Sequence, residues 1–303
     1  MKKMLKIIIP LALISLFLST QLVTANFGVD VGDTFTYDCV AAERTMSIGT
    51  HTGTGTGYTV DDHAFAAGTS VVVEVLEFDD SFFNTTIYEI QAGSYVENGS
   101  SSTFGFQLGG LLMTVFPLLF AVLFVDEVEW NQTEAEEAPG MILIPFVEPE
   151  AATWTLFAEF AAEVQTGTSL LSDPSMTGLS IQAEYTDSVS EFFFESYLTG
   201  TFNDTLTNGT HTYLINYDVD HHFQFAFNKA NGVMKGMHVE GAMDGTSNST
   251  AIGFSYDMHT ELAGYNLPNY QFAGGFIPGF EWFIAIPALA ILGSIAVIVR
   301  KRK

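Results

Sequence analysis

The chain ends in an apolar run, Trp282 to Val299, that leads directly into a short cationic tail. The tail consists of Arg300, Lys301, Arg302 and Lys303. At ~1.5 Å per residue, a helix over this run is ~27 Å long, close to the ~30 Å of a membrane's hydrocarbon core. We therefore predict a transmembrane helix over residues 282–299 and a cytoplasmic tail over residues 300–303. Nearly all the other residues are then expected to fold outside the cell.

The N-terminus has the three parts of a secretory signal peptide. Three lysines precede an apolar stretch, residues 7–18, and Val23-Thr24-Ala25 supplies the small residues that a signal peptidase accepts. We predict a signal peptide over residues 1–25, cleaved between Ala25 and Asn26. An uncleaved N-terminal membrane helix is the alternative. Cys39 is the only cysteine, so the fold cannot rest on an internal disulfide.

Acidic residues dominate the segment between the two ends. Residues 26–280 carry 34 Asp and Glu against three cations, Arg44, Lys229 and Lys235, a formal charge of −31. Such a surface repels nucleic acid and anionic lipid headgroups, so we expect no nucleic-acid partner. Solubility and mutual repulsion on a crowded cell surface explain the charge, and a salty environment is the alternative.

All Asn-x-Ser/Thr sequons lie in this acidic segment. They make six asparagines candidates for N-glycosylation: Asn84, Asn98, Asn131, Asn203, Asn208 and Asn248. A second apolar segment, Phe104 to Val125, is long enough to span a membrane. A crossing there would move four sequons to the cytoplasm and the cationic tail outside, against the positive-inside rule. We interpret it as a buried or membrane-dipping element, with a spanning helix as the alternative.

Alternating apolar and polar residues predict antiparallel strands on both sides of this apolar block. Strands are expected over residues 33–37, 70–78, 82–90, 181–197 (one long strand or a bulged pair), 233–241 and 252–258. Phe223, Phe225 and Phe227 share one face of a further strand, and Asn231-Gly232 is the strongest hairpin signal. Between the strand regions, an acidic loop is expected over residues 126–140 and a helix over residues 151–164.

These elements predict an α+β domain over residues 26–268, followed by a short linker over residues 269–281. The domain is mainly a curved antiparallel β-sheet around the central helical and apolar block. The consecutive rings of Phe192-Phe193-Phe194 must point to opposite faces, so both faces of the sheet are expected to be covered. The cover is either the apolar block or a bound acyl chain.

Candidate chemistry is confined to one cluster. In a strand, Asp218, Asp220 and His222 face one way and could hold a divalent cation, whereas His221 faces the other. The favoured alternative is a solvated strand face. His238 and His259 lie on neighbouring predicted strands and could approach the cluster. The sequence contains no nucleophile-elbow, zinc-protease or phosphate-binding motif, so we predict no cofactor and no enzymatic activity.

Pro278-Gly279-Phe280 stands just before the predicted transmembrane helix and its cationic tail. This layout resembles the PGF-type C-terminal sorting signals of archaeal surface proteins. The resemblance implies processing by an archaeosortase-type membrane enzyme that leaves a lipid anchor. A short Gly/aromatic segment, residues 269–277, replaces the Thr-rich stalk that many such proteins carry. A retained transmembrane helix is the alternative.

Four further segments resemble blocks of the archaeal choice-of-anchor ectodomains, particularly those of Asgard archaea. They are residues 31–37, 145–149, 228–233 and 264–268. The resemblance implies a surface location and an architecture, not an activity.

The expected function is that of a non-enzymatic, membrane-anchored surface protein of an archaeon, used for display, adhesion or envelope structure. The first alternative is an ectodomain that binds lipid or another hydrophobic ligand. Its cavity would be lined by Phe223, Phe225, Phe227, Ile252 and Phe254. The second alternative is a metal-dependent extracellular hydrolase that uses the Asp218–His222 cluster.

Overall fold

The structure, a computed structural model, describes residues 27–80, 83–118, 140–166, 171, 176–208 and 211–272. Strands with alternating burial dominate this part of the chain. They are β1 (Thr34–Ile48), β2 (His51–Thr56), β3 (Tyr58–Val60), β4 (His63–Phe65), β5 (Ser70–Asp79), β6 (Thr85–Ala92), β7 (Tyr95–Ser101), β8 (Leu179–Asp187), β9 (Glu191–Asn208), β10 (His211–Asn228), β11 (Met234–Ser247) and β12 (Thr250–Leu262). The helices are α1 (Thr103–Thr114) and α2 (Ala151–Thr166).

Ten of the strands form one antiparallel sheet. Its order is β7-β6-β5-β1-β12-β11-β10-β9-β8, with β2 paired to β1, and β3 and β4 form a separate hairpin. β1 and β12, the first and last strands along the chain, are neighbours near the centre of the sheet. The mainly antiparallel sheet expected from the sequence is confirmed.

Several strand predictions are confirmed in detail. β5 covers the predicted strand 70–78 and pairs with β6, as expected for residues 82–90. The turn predicted at Asn231-Gly232 connects β10 to β11, and Gly232 has the positive φ, 67°, that this turn requires. The helix expected over residues 151–164 is α2.

Of the two alternatives for residues 181–197, the single long strand is wrong, because the stretch forms a pair of antiparallel strands, and their pairing has no bulge. β8 ends at Asp187 and β9 begins at Glu191. The Ser188 hydroxyl oxygen accepts the backbone N–H groups of Ser190 and Glu191, at 3.3 and 2.9 Å, and so replaces ladder bonds within the turn. The turn, residues 187–191, contains neither glycine nor proline, the residues that mark a turn most strongly in a sequence.

Both helices pack against the same face of the sheet, which carries Phe225 and Phe227 of β10 and which we call the first face. Ser102 caps α1 by accepting the N–H of Gly105 at 3.0 Å. Phe106 of α1 then meets Phe225 and Phe227 edge-on, each at 4.7 Å between ring centroids, and Phe157 of α2 at 5.1 Å. The first part of the apolar block, residues 104–118, is therefore covered largely by this chain's own core.

The predicted stripe of rings on β10 is confirmed, and its surroundings are filled. Phe223, Phe225 and Phe227 are fully buried. Phe106 and Phe157 occupy the space beside Phe225 that an acyl chain would need. The lipid-binding hypothesis gains no support from this face.

Several predicted segments lie outside the described residues. They are the signal peptide (1–25) with its cleavage site, most of the acidic loop (126–139), the sequon at Asn131, the tripeptide at 278–280, the helix at 282–299 and the tail at 300–303. Among the described residues, no helix combines the length and the apolar character needed to cross a membrane.

Candidate functional site

The second face of the sheet is polar where β9, β10, β11 and β12 adjoin. Antiparallel register places cross-strand partners in rows, because side chains of alternate residues share a face. One row contains Glu195, Gln224, His238 and His259. The next contains Tyr197, His222, Glu240 and Asp257. The third contains Thr199, Asp220, Ala242 and Ser255.

The residues after β12 cross this polar face. We call residues 263–272 the C-terminal strap. It begins over β12, where the N–H of Leu267 donates to Glu261 Oε1 at 2.6 Å. Gly236 of β11 leaves room for it, since a Cβ there would stand 2.8 Å from the side chain of Leu267. The strap thus fits against the sheet through both packing and hydrogen bonds.

Over β10 and β9 the strap is held by two buried side chains. Gln224 Nε2 donates to the carbonyl of Pro268 at 3.2 Å. Glu195 Oε1 accepts the N–H groups of Gln271 and Phe272, at 2.9 and 3.1 Å. Burial raises the pKa of the fully buried Glu195 carboxyl, although both backbone N–H groups act to lower it.

Tyr270 of the strap rests on the histidines of the polar face. Its ring centroid lies 4.4 Å from that of His222 and 4.9 Å from that of His238. His222 also stacks against Tyr197, at 4.3 Å. His238 in turn stacks on His259 at 4.2 Å, as their predicted neighbourhood implied.

Carboxylates accompany two of these histidines. His238 Nε2 donates to Asp257 Oδ1 at 2.9 Å, and His259 Nε2 donates to Glu261 Oε1 at 3.0 Å. Burial, followed by the nearby His238, lowers the pKa of His259. Burial also raises the pKa of the Glu240 carboxyl in the same cluster.

His222 is the least satisfied of the three histidines. Its Nδ1 is buried without a hydrogen-bond partner, and its Nε2 lies 3.9 Å from Asp220 Oδ1. Burial lowers the pKa of His222 to about 4, with a smaller contribution from His238. A neutral imidazole is therefore the form that these surroundings accommodate.

Unsatisfied atoms concentrate beneath the strap. Four buried side-chain atoms there have no hydrogen-bond partner: Glu195 Oε2, His222 Nδ1, Gln224 Oε1 and Tyr270 Oη. The orientation of the Gln224 amide is fixed, because the Pro268 carbonyl can only accept. Buried polar atoms without partners are costly, so the strap is held by strong contacts yet covers an unfavourable site.

His221 provides a contrast on the opposite face, where the sequence placed it. Its Nε2 donates to the carbonyl of Met113 at 2.6 Å, and its Nδ1 accepts from the Tyr256 hydroxyl. Burial lowers the pKa of His221 to about 3. Both ring nitrogens are satisfied, so this histidine joins α1 to the sheet as a neutral structural group.

Beyond the strap, the polar face continues as an open groove of about 300 Å³. Asp218 and Asp244 are cross-strand partners in its wall, and Asp220 lies nearby. Thr201 donates to Asp218 at 2.7 Å, and Tyr197 donates to Asp220 at 3.1 Å. Burial, followed by the charge of Asp218, raises the pKa of Asp244 to about 6.

The structure does not assemble the predicted metal ligands. Asp218 and Asp220 accept hydrogen bonds from hydroxyl groups, while the His222 ring packs against two tyrosine rings. Within the described ranges, no three His, Cys, Asp or Glu side chains form a group that could hold a metal ion. The metal-dependent hydrolase hypothesis therefore gains no support.

The sequon asparagines differ in accessibility. Asn98, Asn203 and Asn248 are exposed. Asn84 is half-buried, and its Nδ2 donates to Glu148 Oε1 at 2.6 Å. Asn208 is the last residue of β9.

The strap was not predicted as part of a site. Residues 269–272 lie in the predicted linker, yet they contact Glu195 and His222 of the sheet. The sequence offers few signals for these contacts, because Tyr270 and Gln271 belong to no regular element. Only Pro268, which interrupts backbone hydrogen bonding, marks the place where the chain turns across the strands.

The chain matches no protein-family model, no curated protein and no solved structure.

Proposed function

We propose that this protein is a non-enzymatic, membrane-anchored surface protein of an archaeon, with its folded domain outside the cell. The domain serves display, adhesion or envelope structure. The C-terminal strap is the observation that carries the proposal. It holds the chain on the domain as far as Phe272, six residues before the tripeptide that resembles a sorting signal.

The attachment of the strap limits how far an anchored domain can move from the membrane and determines which contacts bear a load. The nine residues 273–281 reach at most ~30 Å when fully extended, so the domain stays close to the membrane surface. A load on the anchor is transmitted first to the bonds between the strap and Glu195. The three exposed sequons and the acidic segment are consistent with an extracellular location.

The test is the fate of the domain in an archaeal expression host. Intact cells are treated with protease, and the domain is detected with an antibody raised against it. We expect the domain to be removed from whole cells. A chain that ends at Ile277 is expected in the medium, since it keeps the signal peptide and strap but lacks the anchor.

The matched control changes only the charge of the tail. Substituting Arg300, Lys301, Arg302 and Lys303 with Ser keeps the apolar run but removes the topological signal. We expect a smaller protease-sensitive fraction. A full-length domain that stays protected in intact cells, or a shortened chain that stays inside them, would refute the proposal.

A further inference from the structure

The contact of the strap with His222 and His238 suggests a conformational device that does not depend on how the chain is anchored. We propose that the C-terminal strap is an acid-released latch. It lies on the sheet while His222 is neutral, and it leaves the sheet when this imidazole takes up a proton.

The geometry around His222 supplies the mechanism. The ring packs against both Tyr197 and Tyr270, at 4.3 and 4.4 Å between centroids. A protonated imidazole carries an N–H on both nitrogens, yet Nδ1 has no partner in these surroundings. Water can reach Nδ1 once Tyr270 moves away. Tyr270 belongs to the strap, so hydration of the imidazolium requires the strap to leave.

Other titratable groups face His222 from every neighbouring element. They are Tyr197 and Glu195 of β9, Asp220 of β10, His238 and Glu240 of β11, Asp257 and His259 of β12, and Tyr270 of the strap. Asp220 is the nearest carboxylate to His222 Nε2, at 3.9 Å. Asp257 is already paired with His238 at 2.9 Å, so it is not free to stabilise a charge on His222.

The direction of the pH effect follows from the histidine pKa values. Burial lowers the pKa of His222 from 6.5 to about 4, and that of His259 in the same direction. A released strap returns these rings to water, so the released form binds more protons below pH 6.5. Docking is therefore fully stable above pH 6.5 and weakens as the pH falls toward 4.

The buried carboxyls act in the opposite direction at lower pH. Burial raises the pKa values of Glu195 and Glu240 above 4.5 and that of Asp220 above 3.8. Their protonation favours the docked strap, so these carboxyls oppose the effect of the histidines in acid. Release in mild acid therefore requires that His222 and His259 outweigh the carboxyls, which the measurement below decides. His222 alone shifts docking by up to about 30-fold at pH 5.

Hydrogen exchange of the full-length protein in detergent micelles tests the latch. The docked strap protects the amides of Leu267, Gln271 and Phe272, which donate to Glu261 and Glu195. After correction for intrinsic exchange rates, we expect protection of residues 263–272 to fall at least tenfold between pH 7.5 and 5.0. Protection of β10 to β12 should persist, which separates release from unfolding.

The decisive variant is His222→Phe, which keeps a ring in contact with the two tyrosines but cannot titrate. It should retain the strap at pH 5.0, and His222→Gln serves if the phenylalanine variant loses protection in the sheet. His63→Phe is the matched control. His63 lies on β4 of the separate hairpin and stacks at 3.9 Å on Tyr95 of β7, the edge strand of the large sheet, whereas the strap crosses β12 to β9. This variant should release the strap like the unaltered protein. Retention by the unaltered protein at pH 5.0, release by His222→Phe with an intact sheet, or retention by His63→Phe would overturn the proposal.

Discussion

Single residues decide how closely backbone segments approach one another in this fold. Gly232 is the clearest example, because it combines a positive φ of 67° with contact to the segment before α2. A Cβ at this position would stand 1.8 Å from the carbonyl oxygen of Val147. Val147 is also hydrogen-bonded to the turn, because its N–H donates to the Gly232 carbonyl at 2.9 Å.

We expect Gly232→Ala to lower the free energy of unfolding by at least about 2 kcal/mol, through both the left-handed backbone and the collision with Val147. Urea unfolding followed by tryptophan fluorescence provides the measurement. Gly264→Ala is the control, because Gly264 has φ of +83° but open space around its Cβ position. It should cost about 1 kcal/mol. Equal costs at the two positions would show that the close approach is unimportant.

At the scale of elements, α1 is attached to the sheet through Phe106 and through the Met113 carbonyl, which accepts from His221. Phe106 contacts Phe157 of α2 and both Phe225 and Phe227 of β10. The helix spans 12 residues, too few to be stable alone in water. Its stability therefore depends on this aromatic contact and on the Ser102 cap.

Truncation of this ring should be among the most damaging changes to the core. We expect Phe106→Ala to destabilise the protein by about 3–5 kcal/mol, because it removes buried surface and leaves a cavity between α1, α2 and β10. Leu214→Ala, at a side chain that is 60% exposed, should change stability by less than about 0.5 kcal/mol. Thermal unfolding compares the two, and a similar small loss for both would contradict the role given to Phe106.

The elements that the sequence predicts well are those whose pattern is local. The stripe of rings on β10, the Asn231-Gly232 turn and the helix α2 follow from period and turn chemistry alone. The β8–β9 turn did not, because Ser188 forms it without glycine or proline. The position of the strap is not predictable in this way either. Its contacts with Glu195 and His222 depend on strand order, which no local pattern specifies.

For the whole molecule, charge is the dominant surface property. Residues 26–280 have three cations, of which Lys229 pairs with Asp187, Lys235 pairs with Glu191 and Arg44 is buried. Most of the 34 acids in this segment therefore repel one another across water.

Screening should consequently stabilise the fold. We expect the midpoint of thermal unfolding to rise between 0.05 and 1 M NaCl, because the screening length shortens to ~3 Å at 1 M. Choline chloride at the same concentrations is the control. A rise with both salts indicates screening, a rise with NaCl alone indicates a specific ion site, and no rise with either contradicts the role given to self-repulsion.

The pairing of β1 with β12 governs the order in which the protein can assemble. Arg44 of β1 lies opposite Tyr256 of β12, so more than 200 residues must leave the ribosome before the centre of the sheet can close. Contacts between such distant parts of a chain form slowly, because a long loop must be closed first. An N-terminal fragment lacks the partner strand that completes its sheet. The finished sheet therefore forms only after β12, which ends at Leu262, has left the ribosome.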